Sequence, residues 1–341
     1  STSLMAGMAG FSMAAIAGVD LPEETAADIS LANEALLFYT EHTTGYSESV
    51  REPFSQPTME QRALKESYAW EAVRRTASLQ ESAMGLLQSL FRNETEPSLL
   101  VFNTLNWTRS GIASVYIDHQ IIPRGMNAGV YDSRGKRMAT QPLSHRSDGT
   151  YWAIRIDSIP PFGYRKLIVR AEEEVPPSAQ GGPETAIPAS STSGPLAVAR
   201  DASTSGPRTV ARDESTSGPL AVAPEAILEN RWYRIETDLQ KGTMTSILDR
   251  EMSVELVDSG SEYGLGEFIL EQLGNRSQME GRMLNDYIRK PLDTVWFDSA
   301  SKGEIWNSIR FYGESETAIG PRGFMLEIRL HNQEKRIDIA C

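Results

Sequence analysis

The chain has 341 residues, 40% of them apolar and 23% charged, which is the balance of a globular protein with room for one large core or two to three smaller ones. Its net charge of −13 and its pI near 4.9 exclude the basic footprint that nucleic-acid binding needs. No Lys or Arg precedes Arg51, so this acidic opening also disfavours docking on an anionic membrane surface.

Cys341 is the only cysteine, so neither an intrachain disulfide nor a cysteine-based metal site can form, and the compartment stays open. The opening STSLMAGMAGFSMAAIAGV is small and apolar and superficially resembles a secretory leader. It lacks a basic start and is interrupted by Gly, so it reads as an internal segment of a longer polypeptide.

Ile29, Leu31, Ala35, Leu36, Phe38 and Tyr39 recur at helical spacing and predict a helix over 26–41, ending where Thr43, Thr44 and Gly45 favour a turn. After the loop bracketed by Pro53 and Pro57, Thr58 with Gln61 reads as a capping box. The helix it opens extends to about Arg92, with Leu64, Tyr68, Ala72, Val73, Ala77, Ala83, Met84, Leu87 and Phe91 as its expected buried face. A helix this long needs packing partners, so a small helical bundle is expected over residues 1–94.

Beyond Pro97 the period changes to that of strands. LLVFN at 99–103, the alternation at 113–118, YWAIRI at 151–156 and RKLIVR at 165–170 are separated by turn clusters, as in an antiparallel sandwich. This first β region covers 95–170. Residues 171–227 form a linker in which STSGP occurs at 191–195, 203–207 and 215–219 without an aromatic residue, a composition expected to stay disordered. Strand patterns resume in a third region, 228–341, at 232–238, 243–248, 267–270, 294–297, 305–311, 323–330 and 336–340. The expected fold is thus α+β and multidomain, a helical bundle followed by antiparallel β-sandwiches.

His42 follows Glu41 and the apolar run of the second helix, making it the best candidate for chemistry. By residue pattern alone a histidine beside a helix end is usually structural, and neither Glu41 nor Glu48 gives it a zinc-binding spacing. His119, His145 and His331 are scattered and read as solvent or turn residues. No Gly-x-Ser-x-Gly elbow, P-loop or dinucleotide fingerprint is present. Asn106-Trp107-Thr108 matches a glycosylation sequon.

The order of several segments resembles family 38 of the glycoside hydrolases, the retaining α-mannosidases. FYTEHTTGYSESVREP at 38–53, followed by KESYAWEA at 65–72, resembles the link into that family's helical middle domain. LLVFNTLNWTRSG at 99–111 resembles the opening of its first β domain, and PFGY at 161–164 the turn that closes it. Residues 228–258 resemble the start of its large galactose mutarotase-like β-sandwich.

The resemblance implies an α-mannoside hydrolase that acts on mannose-containing glycans or glycosides. Its zinc would be held by a His-x-Asp pair, a nucleophilic Asp and a later His, and His42 lies where that later His falls. Glu41 could orient the His42 ring, and Thr43 and Tyr46 are further candidates for contact with the metal site or the sugar. Two departures stand out. Thr44 replaces the Trp of one branch's Glu-His-Thr-Trp-Gly pattern, and no His-x-Asp pair or nucleophile segment occurs. The catalytic domain is therefore expected before Ser1, and this chain alone is expected to be inactive, with no catalytic residue of its own. The alternatives are a non-catalytic carbohydrate-binding or scaffold protein with a mutarotase-like sandwich, or an interaction module with an acidic helical region.

Overall fold

A computed structural model describes residues 2–41, 46–92, 95–173, 226–279, 281, 283–316 and 323–341. The chain is α+β, with its helices first and antiparallel sheets after them. It divides into two compact units. One comprises Ser1–Thr140, Ala153–Glu174 and Ile269–Pro291; the other comprises Gln141–Trp152, Val175–Phe268 and Leu292–Cys341.

In the first unit the small, apolar opening forms α1 (Thr2–Ile16), which is followed by α2 (Thr25–Thr40) and α3 (Gln56–Gln88). Leu4, Phe11, Ala32, Leu79 and Ala83 form a buried cluster drawn from all three helices. Gly7 and Gly10 explain why α1 tolerates residues that each cost a helix about 1 kcal/mol. A Cβ on Gly10 would stand 3.1 Å from the Cβ of Ala83, and one on Gly7 3.5 Å from Gln80, so these glycines let α1 lie close against α3.

The sequence expectations for the helices need correction at their faces and ends. α3 starts at Gln56, so the capping-box position shifts: Ser55 is the N-cap, its Oγ donating to Thr58 Oγ1 at 3.0 Å, and Pro57 fits the first turn. The helix also stops at Gln88 rather than Arg92. Its buried stripe is Ala72, Thr76, Leu79, Ala83 and Leu87, whereas Leu64 (58% exposed), Val73 (48%), Ala77 and Met84 face outward. On α2 it is Ala32 and Ala35 that are buried, while Leu31, Phe38 and Tyr39 are exposed. Small residues such as Gly10, Ala32 and Ala83 let the helices approach, and Leu4, Phe11 and Leu79 fill the space that remains between them.

The β part of the first unit holds β1 (Ser98–Asn103), β2 (Arg109–Asp118), β3 (Met126–Asp132), β4 (Arg137–Met138) and β7 (Gly163–Glu173), with most of β6 (Gly149–Ile159). One sheet has the order β1-β7-β3-β4, all antiparallel. β5 (Thr140–His145) and β6 form a hairpin whose turn is closed by Arg146 N–H donating to Gly149 O at 2.8 Å. The sequence analysis missed β3. Its centre, Ala128-Gly129-Val130, is buried without alternation, and Gly129 leaves room for the Glu172 side chain across the sheet. Asn103 Nδ2 donates to the carbonyls of Trp107, Ile159 and Pro160, so the buried end of β1 fixes two turns at once.

The second unit is a sandwich of two sheets. β8 (Ile227–Glu229), β9 (Tyr233–Asp238), β10 (Thr243–Asp249) and β11 (Val254–Glu255) lie in the order β11-β10-β9-β8. β12 (Ile269–Leu273) and β13 (Tyr287–Pro291) form a separate hairpin in the first unit. β14 (Thr294–Ser301), β15 (Trp306–Glu314), β16 (Gly323–His331) and β17 (Ile337–Ala340) make the second sheet in sequential order. Their shared core is Leu228, Ile235, Met244 and Ile247 from one sheet, with Ile309, Phe311, Leu326, Ile328 and Leu330 from the other. Gly242 closes the β9–β10 hairpin at φ +67°, a left-handed conformation that glycine adopts without strain, and its bare Cα fits against Phe311. The repeat-bearing linker falls almost wholly on 174–225, outside the described residues. No helix among the described residues is long and apolar enough to cross a membrane.

Two outcomes follow from this packing. Replacing Gly10 with Leu overfills the α1–α3 contact and should cost about 1–3 kcal/mol in urea unfolding. The second concerns Asp249, a nearly solvent-free carboxylate. A hydrogen bond from Lys335, helped by the Met252 and Glu251 amides, holds its carboxyl below the usual range. Because the folded value is depressed, its contribution is complete above the ordinary Asp value and drains away as pH falls through the folded one. The acid limb of a stability–pH curve, measured by thermal unfolding, should therefore flatten in Asp249→Asn.

Candidate functional site

The segment leading to His42 is anchored by two side chains of α3. Lys65 Nζ donates to the Phe38 carbonyl at 3.1 Å and to Glu41 Oε2 at 3.0 Å. A cation is favoured there because the last carbonyls of α2 are short of partners and carry the negative end of the helix dipole. Tyr68, one turn further along α3, stacks on Phe38 with centroids 5.2 Å apart and planes at 23°. Thr40 Oγ1 bonds back to the Leu36 carbonyl at 2.9 Å, and at Glu41 the backbone turns extended. Two residues of KESYAWEA thus hold the C-terminal end of α2.

His42 and Thr43 themselves lie outside the described residues. Glu41 is the last described residue before them, and its carboxylate is engaged by Lys65. Tyr46 resumes the described chain with its side chain exposed, and its carbonyl accepts from the Ser49 amide at 2.9 Å. The following turn is tied down by Arg276, whose Nε donates to the Val50 carbonyl. Among the described residues no group of three His, Cys, Asp or Glu side chains could hold a metal ion. The described residues therefore do not make a zinc site by themselves, and any zinc held by His42 would draw its other ligands from elsewhere.

A cavity of about 450 Å³ opens beside the C-terminal ends of α1 and α3, lined by Met13, Ile16, Leu90, Phe162 and Tyr164 among others. Phe162, from the PFGY turn, adopts φ +43°, a left-handed conformation that is costly for an aromatic residue. Among the described residues no carboxylate, His, Lys or Arg lines this cavity, so they give it none of the paired acids a glycosidase reaction needs.

His331 was expected in solvent or a turn; it is instead buried, 2% exposed, with Nε2 2.9 Å from Asp338 Oδ2. The signal lay in the alternation of Leu326, Ile328 and Leu330 with Glu327, Arg329 and His331, which puts the histidine on an ordered sheet face.

This architecture, helices followed by antiparallel sheets ending in a sandwich, matches solved glycoside hydrolases. A protein in the glycosyl hydrolase family 38 from Enterococcus faecalis superposes with a TM-score of 0.53 at 12% identity, covering 98% of this chain and 40% of its own. An alpha-mannosidase from Enterococcus faecalis V583 gives 0.52 at 11% identity, covering 98% and 38%. The chain therefore spans about two fifths of the length of these solved proteins, and at such identity the likeness is one of fold. No protein-family model matches the sequence. No curated protein matches it either.

Removing the Lys65 anchor should loosen the end of α2. Lys65→Ala is expected to cost about 1 kcal/mol, the worth of a partly exposed charged contact. Amide hydrogen exchange at Thr40 and Glu41 should accelerate more than at Ala32, which the cluster core protects.

Proposed function

We propose that the chain is the helical middle and β-sandwich portion of a zinc-dependent retaining glycoside hydrolase acting on α-mannosides. The observation that carries this reading is the fold likeness to a family 38 glycosyl hydrolase and an alpha-mannosidase over 98% of the chain. The order of the motifs around 38–53, 65–72, 99–111 and 161–164 supports it independently. On this reading the β8–β17 sandwich is the start of a galactose mutarotase-like domain.

His42 is the residue proposed to ligate zinc, delivered from the end of α2 by the Lys65 and Tyr68 anchors. Glu41 orients the imidazole and thereby fixes its tautomer. Thr43 and Tyr46 flank the metal or the sugar. Bound zinc would polarise and orient substrate hydroxyls. The nucleophilic carboxylate and the acid that protonates the leaving oxygen, the pair a retaining glycosidase requires, belong to polypeptide beyond these residues. The isolated chain is accordingly proposed to be inactive.

The test is zinc binding and hydrolysis of a nitrophenyl α-mannoside by the full-length protein that carries this chain. His42→Ala should weaken zinc by more than about 100-fold, since groups that only orient a ligand are already worth 10–100-fold, and should abolish turnover. Equal zinc affinity in both proteins would remove His42 from the ligand set.

A further inference from the structure

We infer that the first unit carries a binding site for a long-chain fatty acid, with the alkyl chain in the apolar cavity beside α1 and the carboxylate toward Arg92 and Lys166. The inference rests on side chains of this unit alone and not on the hydrolase reading.

Three aromatic rings stand at the centre of the site. Phe91 follows the end of α3, Phe102 lies on β1 and Tyr164 on β7. The ring centroid of Phe91 is 4.7 Å from that of Tyr164 and 6.1 Å from that of Phe102, and the last two are 6.0 Å apart. The register of the strands accounts for the cluster. Phe102 pairs with Tyr164, Leu100 with Lys166 and Ser98 with Ile168, and the two-residue period puts all six on one face of the sheet. Leu167 and Val169, on the other face, are buried. Phe91 and Phe102 each line two cavities, the apolar one of about 450 Å³ and a second of about 320 Å³. Both volumes fall in the range of about 300–1,000 Å³ typical of small-molecule sites.

The first cavity selects an apolar occupant. Among its described lining residues only Ser12 and Tyr164 carry a hydroxyl, and Ser12 Oγ already donates to the Met8 carbonyl at 3.0 Å. Its walls are open to water, with Ile16 88% and Phe162 57% exposed. Phe162 thus keeps its left-handed backbone although its ring is more than half uncovered, and a chain lying under that ring supplies packing that repays the strain. The second cavity adds charge. Arg92 and Lys166 line it together with Gln88 and Ser98, and no Asp or Glu does so among the described residues. In a chain of net charge −13 this is a local reversal of sign that favours an anion.

One molecule suits both cavities when it has a long apolar tail and an anionic end, running past the rings of Phe91 and Phe102. A fatty acid is the simplest such molecule. A sugar leaves the apolar cavity unfilled, and a fatty alcohol makes no use of the charge. An anionic bilayer is a poorer match, because the acidic chain as a whole is repelled from it.

The experiment is calorimetric titration of the 341-residue chain with decanoate, laurate, decanol and decyltrimethylammonium, repeated with Ser12→Trp and Arg92→Glu. Decanoate should bind saturably with a dissociation constant below about 1 mM, and laurate, two methylenes longer, about five- to fifteenfold tighter. Decanol and decyltrimethylammonium should bind more weakly than decanoate. Ser12→Trp, at an exposed position of α1, fills the cavity and should weaken laurate at least about tenfold. Arg92→Glu, also at an exposed position, should weaken decanoate at least about threefold and leave decanol unchanged. Both variants should keep the parent circular-dichroism spectrum; if Ser12→Trp alters it, the split between decanoate and decanol in Arg92→Glu decides. The full-length protein should bind laurate as the chain does. The inference is overturned if neither carboxylate binds saturably, if laurate binds no tighter than decanoate, or if decanoate and decyltrimethylammonium bind alike. Laurate binding lost in the full-length protein, or association with phosphatidylglycerol vesicles in place of laurate, overturns it as well. His42→Ala should leave laurate binding unaltered, and its loss of zinc or hydrolysis bears only on the hydrolase reading.

Discussion

Strand parity in β15 and β16 is the constraint on which most of the second unit depends. Each residue has two neighbours that must face the opposite way. The five apolar residues these strands send into the sandwich therefore fix, with no further freedom, a second face of tryptophan, arginine, glutamate and histidine. Core and surface are one decision. The core contributes the large apolar burial that holds two sheets together, at roughly 25 cal/mol per Å². The outer face keeps several polar atoms dry and unpaired, a cost the core can carry.

The helical region obeys a different rule. There the controlling quantity is the distance between axes, and Gly10 against Ala83 sets it. Small residues at the closest approach leave room for only a few bulky ones, Leu4, Phe11 and Leu79, between the helices. Several large side chains that would fill an ordinary bundle core, Leu64, Phe38 and Val73 among them, consequently remain at the surface. Lys65 and Tyr68 serve another purpose, fastening the last turn of α2 so that the chain leaves it at a defined point.

How legible this was in the sequence varied with the kind of signal. Strands with clean alternation, such as β2, β9, β10 and β16, were readable because a half-buried strand writes its period into its residues. β3 was not, since its buried Ala128-Gly129-Val130 centre has no alternation and its glycine is explained only by Glu172 on β7. The helices were readable as helices and their buried faces in part: Ala35, Ala72, Ala83 and Leu87 are buried as expected, whereas Leu31, Leu64, Val73 and Met84 lie at the surface, because the closest contacts select small residues. His331 was misjudged for a related reason. Its burial comes from Trp306 and Asp338, one 25 positions earlier and the other seven later, and neither adjoins it in the chain. Of the segment at 38–53, the sequence pointed to where the chain turns, and only the three-dimensional structure revealed what holds it.

The register of β14–β17 also bears on how such a chain can change over generations. One residue added inside β15 would exchange the two faces, sending Arg310 inward and Phe311 outward, and the sandwich has no way to accept that. Twelve residues added between β7 and β8 meet no comparable barrier, because closing a loop grows costlier only with the logarithm of its length, a few tenths of a kcal/mol for such a step. The threefold STSGP pattern lies in that very connection. The fold thus sorts insertions by place rather than by size: it refuses the small one and is nearly indifferent to the large one.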